Sequence, residues 1–250
     1  MMYKVELLAL MSGIDILIAE YGVKIHQPTI NEIALMGEER FFSLLNLFNL
    51  DIEKLRESIL ESLINAPSEE LEIIKYLDEY NIILFLINTD DNFKQLFLDL
   101  FKLILKNYKI DFLEYEMILR EDDNILIFNS DLYYKIKDIV AQIFLFEKFF
   151  AESQVKPVND KAKKIADKLK RSKDKIQAMN QNDKDEDKSF FANMISVLGV
   201  KESFSELNHL TVYQLYNKFE RYNLYLQYDQ GLRALVAGAQ IEIVDWFKQI

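Results

Sequence analysis

QPTINEIALMG, residues Gln27 to Gly37, is the stretch from which the fold can be read. Thr29 can accept from the backbone N–H of Glu32, and the Glu32 carboxylate can reach back to the N–H of Thr29. This capping box satisfies two donors that a helix start leaves unpaired. Pro28 stands just ahead of it, and Gly37 ends the segment because glycine takes left-handed backbone without strain. The spacing predicts a short capped helix.

The same grammar continues outward. Glu38 and Glu39 suit the N-terminus of a second helix, followed by the apolar run Phe41, Phe42, Leu44, Leu45, Leu47 and Phe48. Asp51 caps a third, with Ile52, Leu55, Ile59, Leu60 and Leu63 at helical spacing, broken at Pro67–Ser68. Helical periodicity runs from Glu69 to about Ile87 and from Asp91 to Lys106, with Asn88-Thr89-Asp90 as the turn between them. Ile110 to Phe128 differs. Short apolar runs around Glu121-Asp122-Asp123-Asn124 predict a β-hairpin. A long helix is expected from Leu132 to about Phe150.

Composition agrees with helices. The 250 residues hold only 6 Gly and 3 Pro, too few for the turns of an all-β barrel, and are 50% hydrophobic, enough for a core. No phosphate-binding glycine loop occurs. Without cysteine there is no thiol nucleophile, disulfide or Cys-ligated zinc. The net charge of −11 disfavours phosphate backbones and anionic membranes. The apolar run Ile82 to Ile87 is far short of the roughly 20 residues that span a bilayer. No signal peptide is read at Met1–Leu10, so a soluble protein made in the cytoplasm is expected.

After Pro157 the chain changes character. Lys156 to Lys175 holds nine Lys/Arg against three Asp/Glu, and Asn180 to Lys188 is wholly polar. A charged helix and flexible linker are expected over 156–188, between an N-terminal domain (1–155) and a small helical C-terminal domain (189–250). The fold class is therefore mainly α, a multi-helix protein with one small β-hairpin.

Catalytic candidates are sparse. His26 and His209, the two histidines, are far apart in sequence and make no H-E-x-x-H pair; each reads as local structure. The acidic clusters lie at helix starts, turns or the linker, and none follows a calcium-loop pattern. No catalytic, cofactor-binding or metal-binding residue is assigned. The basic run lacks aromatics for base stacking, and Asp160, Asp167 and Asp174 dilute it, so a nucleic-acid-associated regulator remains an alternative only.

A binding surface has better support. Tyr213, Tyr216, Phe219, Tyr222, Tyr225 and Tyr228 are spaced by three throughout. Each step drifts about 60° round an α-helix, so one buried face cannot hide all six. Tyrosine joins a large contact area to a polar tip, which suits interfaces. The competing reading is a helix buried on two sides within its own domain.

Two groups of residues carry a resemblance. One is Ile25, Gln27-Pro28-Thr29-Ile30, Glu32-Ile33, Gly37-Glu38 and Phe41-Phe42. The other runs from Leu210-Thr211-Val212-Tyr213 through Phe219, Arg221 and Tyr228-Asp229 to Arg233-Ala234, Ala237-Gly238 and Asp245-Trp246-Phe247. Their order resembles tail assembly chaperones or virion proteins of tailed phages and prophages of Gram-positive bacteria. The resemblance implies a non-catalytic protein without a cofactor, partnered by tail or baseplate proteins, with a homo-oligomer allowed. It would work in the host cytoplasm during assembly, with retention in the virion as the alternative. Tyr213 to Tyr228, Arg233 and Trp246 become the expected partner-binding residues; Gln27, Pro28, Thr29, Glu32 and Gly37 form a structural motif.

Overall fold

The structure, a computed structural model, describes residues 2–62, 72, 74–113, 116–122, 124–149, 189–240, 243 and 245. Helix α1 (Leu7–Ser12) ends on Gly13 in left-handed conformation. A hairpin of β1 (Ile16–Ile18) and β2 (Val23–Ile25) follows, paired Ile16 to Ile25. Its strands of three residues are too short for a periodicity argument, and the sequence reading missed them.

Helix α2 (Ile30–Met36) carries the expected capping box, with both reciprocal hydrogen bonds formed. Gly37 (φ +94°, ψ 132°) joins it directly to α3 (Glu38–Leu45) in a conformation that a side chain would strain. A 3-10 turn (Asn46–Phe48) leads to α4 (Ile52–Ser62), where Asp51 accepts from the Lys54 N–H at 3.2 Å. The expected break at Pro67–Ser68 lies outside the described residues.

The helix expected over Glu69–Ile87 is interrupted. The chain is non-helical at Leu77 and Asp78, and α5 (Glu79–Thr89) starts where the Asp78 carboxylate accepts from the Asn81 N–H at 2.9 Å. Asn88 and Thr89 belong to α5, so the expected three-residue turn shrinks to Asp90. That residue caps α6 (Asp91–Ile104), accepting from the N–H groups of Asn92 and Phe93. One extended residue with a carboxylate is enough to restart a helix.

The expected hairpin is the second half of a three-stranded antiparallel sheet. Strand β4 (Glu116–Glu121) pairs with both β3 (Lys109–Leu113) and β5 (Asn124–Phe128). Helix α7 (Ser130–Ile143) is shorter than expected. Leu145 takes φ +53°, which stops the helix before α8 (Phe146–Phe149) at a cost of about 1–2 kcal/mol.

Phe41, Phe48, Phe97, Phe101, Phe128, Tyr133 and Phe144 fill the core. Phe101 stacks on Phe97 at 4.3 Å and meets the Phe128 ring edge-on at 5.5 Å, seating the sheet on α6. Tyr133 donates to Glu79 at 2.7 Å, so the buried hydroxyl is satisfied.

The C-terminal elements are α9 (Phe190–Leu198), α10 (Phe204–Asn208) and α11 (Val212–Val236). They pack directly on the elements of residues 2–149. Phe191, Met194, Leu198, Leu207, Val212 and Leu215 share one hydrophobic core with Phe41 and Phe144. The Phe191 ring stacks on Phe42 at 5.7 Å, and the Glu38 carboxylate accepts from the Ser189 hydroxyl and the Phe190 and Phe191 N–H groups. Ser189 is the N-cap of α9, accepting from the Ala192 N–H at 3.1 Å, and Glu38 of α3 satisfies the next two N–H groups, a tie across about 150 residues that local patterning cannot reveal. The charged segment 156–188 lies outside the described residues. No helix among the described residues is long and apolar enough to cross a membrane.

This shared core has a measurable consequence. Phe191→Ala should cost about 3–5 kcal/mol, seen as one shifted urea transition by circular dichroism. A separate weak transition affecting only part of the helical signal would instead indicate an independently folding C-terminal unit.

Candidate partner-binding helix

The start of α11 is fixed on three sides. Thr211 is its N-cap: its hydroxyl accepts from the Gln214 N–H at 3.3 Å, and Gln214 Oε1 accepts from the Thr211 N–H at 2.9 Å. Gln214 Nε2 donates to the Met11 carbonyl at 2.8 Å, binding the helix to the end of α1. Gly13 permits that approach. Besides its φ of +68°, a Cβ there would lie 2.9 Å from Gln214 Nε2.

The third tie joins the capping boxes of α2 and α11. Thr29 and Thr211 form an antiparallel bridge, and the Ile30 N–H donates to the Leu210 carbonyl at 2.9 Å. The motif residues expected to be structural surround this joint. Gln27, 1% exposed, donates to the carbonyls of Ala9 (3.0 Å) and Ile14 (2.6 Å), while its own Oε1 is buried without a partner. Pro28 precedes the Thr29 cap. Glu32 accepts from Thr29 and Lys106 and lies 3.1 Å from His26 Nε2; His26 Nδ1 lies 3.0 Å from Asp15. His26, expected as local structure beside a strand, is thus held between two carboxylates just after β2. His209 caps α10, its Nδ1 2.6 Å from the Ser205 carbonyl.

From this clamp the aromatic ladder changes environment along the helix. Tyr213 is 7% exposed, and burial raises its hydroxyl pKa; Tyr216 is half-buried, its pKa raised by burial first and by the Glu220 charge second. Tyr216, Phe219 and Tyr222 all lie against the core. Tyr225 is 40% exposed, Tyr228 is half-buried, and Leu235 and Val236 near the helix end are exposed. The drift expected from three-residue spacing becomes a change of environment along the helix: Tyr213 is buried at the clamp, Tyr225 is exposed, Tyr228 beyond it is half-buried, and the helix end is open. The inner rings are buried within the protein, as the competing reading expects, and Tyr225 is left open to solvent.

Other residues complete this surface. The Lys201 ammonium lies 5.0 Å from the ring centres of both Tyr222 and Tyr225, a paired cation–π contact that fixes the rings. Lys218 pairs with Glu202, and Arg233 pairs with Asp229 at 2.8 Å. Trp246 lies outside the described residues. Leu7, Leu8 and Met11 expose an apolar face on α1, whose end is bound to α11; their spacing of three and four was the available signal. A groove of about 300 Å³ runs between the two helices, walled by Met11, Leu210, Tyr213, Gln214 and Arg221. Among the described residues, no group of three or more His, Cys, Asp or Glu side chains could hold a metal ion.

Residues 181–250, which include this helix, match the family model of the YomV second domain. YomV is a protein of the Bacillus SPbeta prophage region, so the C-terminal part of this chain has a phage-associated relative. No curated protein and no solved structure matches the chain significantly.

This change of environment separates two kinds of substitution. Tyr213→Ala should cost about 3 kcal/mol or more, as for a buried aromatic. Tyr225→Ala should cost about 1 kcal/mol or less, mainly the cation–π contact. Denaturant unfolding of both variants checks this, and equal losses would contradict it.

Proposed function

We propose that this chain is a non-catalytic phage assembly protein that binds another phage protein through the outer turns of α11. The observation that carries the reading is the change in burial along the ladder. The same helix that is anchored by Thr211 and Tyr213 offers Tyr225, Leu235 and Val236 at its far end. A preformed helix loses little further entropy when a partner covers it, and tyrosines give a large contact area per rotatable bond. The apolar face of α1 extends the surface beside it. The phage-associated relative of residues 181–250 supports the setting.

The resemblance in motif order supports a finer reading, a tail assembly chaperone or scaffold whose partner is a tape measure, tube or baseplate protein. In this reading the protein acts in the host cytoplasm while tails are built. A structural component retained in the virion is the neighbouring alternative.

Co-expression with the tail proteins of the same phage should yield a co-purifying complex. The double substitution Tyr225→Ala/Tyr228→Ala should weaken that complex about tenfold or more, the loss typical of interface hot spots, while the thermal transition stays within a few degrees of the parent. Mass spectrometry of purified virions should find the chain absent if it is a chaperone. Failure to bind any tail protein would sink the tail reading.

A further inference from the structure

The three-stranded sheet has two unlike edges. On its buried face the register aligns Phe112, Met117 and Phe128, and next to them Ile110, Leu119 and Leu126. On the outer face Ile125 is 60% and Ile127 is 54% exposed. Edge strand β3 is guarded there by charge: Asp111 pairs with Arg120 at 2.6 Å and with Lys109 at 3.7 Å. Charges of this kind discourage edge-to-edge pairing.

Edge strand β5 has no such protection. Asn124-Ile125-Leu126-Ile127-Phe128 contains no charge, proline or glycine, and its register with β4 is unbroken by a bulge. The turn closes on the pair Glu121 and Asn124. In a two-residue hairpin that closing pair is hydrogen-bonded, and the pattern alternates along an antiparallel ladder. The N–H and C=O groups of Ile125 and Ile127 therefore point away from β4. No hydrogen bond joins those groups to another described residue.

We propose that β5 pairs with β5 of a second copy of this chain, antiparallel about a two-fold axis at Leu126. The result is a continuous six-stranded sheet. The strand is self-complementary in this register. Leu126 faces its own mate, and Ile125 faces Ile127 twice, forming one apolar row of four side chains on the outer face. An isologous two-fold makes every such contact twice.

The strand pair alone is smaller than the roughly 1,200 Å² of a stable interface, so the dimer is concentration-dependent. Each copy carries a net charge of −11, and salt screens that repulsion. Salt should therefore strengthen the association rather than weaken it.

Sedimentation equilibrium of the full chain should show a monomer–dimer equilibrium that tightens as salt rises. Ile125→Lys/Ile127→Lys, on the solvent face, should abolish the dimer without changing the circular dichroism. The chain has no cysteine, so an introduced one reports cleanly. Leu126 and its mate would form a non-hydrogen-bonded pair about 4.5 Å apart at Cα, within the roughly 4.4–6.8 Å that a disulfide spans. Oxidised Leu126→Cys should give a covalent dimer, and Leu113→Cys on the β3 edge should not. A monomer at every concentration, with Leu126→Cys cross-linking no faster than Leu113→Cys, overturns the proposal. So does a dimer that survives the double lysine substitution, because it must use another face. This test is independent of any phage partner.

Discussion

The antiparallel bridge between Thr29 and Thr211 is the joint on which the rest of the arrangement depends. Both residues are helix N-caps in extended conformation, with φ/ψ of −81°/159° and −74°/167°. Each hydroxyl accepts from a backbone N–H of its own helix, that of Glu32 or Gln214. Extended backbone with locally satisfied side chains is what allows two caps to pair like short strands. The hydrogen bond from Ile30 to Leu210 adds about 1 kcal/mol at most. Its larger effect is directional: it sets where α11 begins, while burial of Phe191, Met194, Leu207, Val212 and Leu215 supplies the energy.

A helix clamped at one end has consequences for binding. Near Thr211 the rings fill the core, and a substitution there acts on folding. Further along, the same ring types meet solvent, and Lys201 holds two of them in place. A partner that covers the outer turns meets rings already ordered, so less conformational entropy is lost on association. Gln214, in the first turn, serves two contacts at once. It completes the cap of α11 and also fixes the helix to α1, whose exposed leucines lie alongside.

What the sequence revealed was local. The Thr29–Glu32 box, the Gly37 junction and the Asp51 cap are all interactions within four residues, and each is formed as its spacing suggested. The ladder of six aromatics was equally visible, because periodicity needs no knowledge of neighbours. The change in burial along it was not, since that depends on where the helix leaves the body. The break at Leu77–Asp78 was hidden by continuous apolar spacing on both sides, with Asp78 the sole cue. Leu145 gave no cue at all, because left-handed backbone is ordinarily glycine's. The packing of the C-terminal helices on the N-terminal body could not be read locally either. Glu38, which seemed merely to start α3, also accepts from the first N–H groups of α9, far away in sequence.

The two surfaces use different physics and sit on different elements. The sheet is seated on α6 through Phe101 and Phe128, whereas α11 is tied to α1 and the α9 region. Strand β5 offers backbone groups, whose pairing is stringent about register and indifferent to partner sequence beyond its pattern. Helix α11 offers side chains, whose packing, in the proposed function, would discriminate between partners. Neither surface shares a residue with the other, so occupying one leaves the other's groups intact. A two-fold built on β5 would place two copies of α11 on one particle. Against a target that repeats, the second contact then becomes intramolecular, and modest single-site affinity is multiplied by the effective concentration.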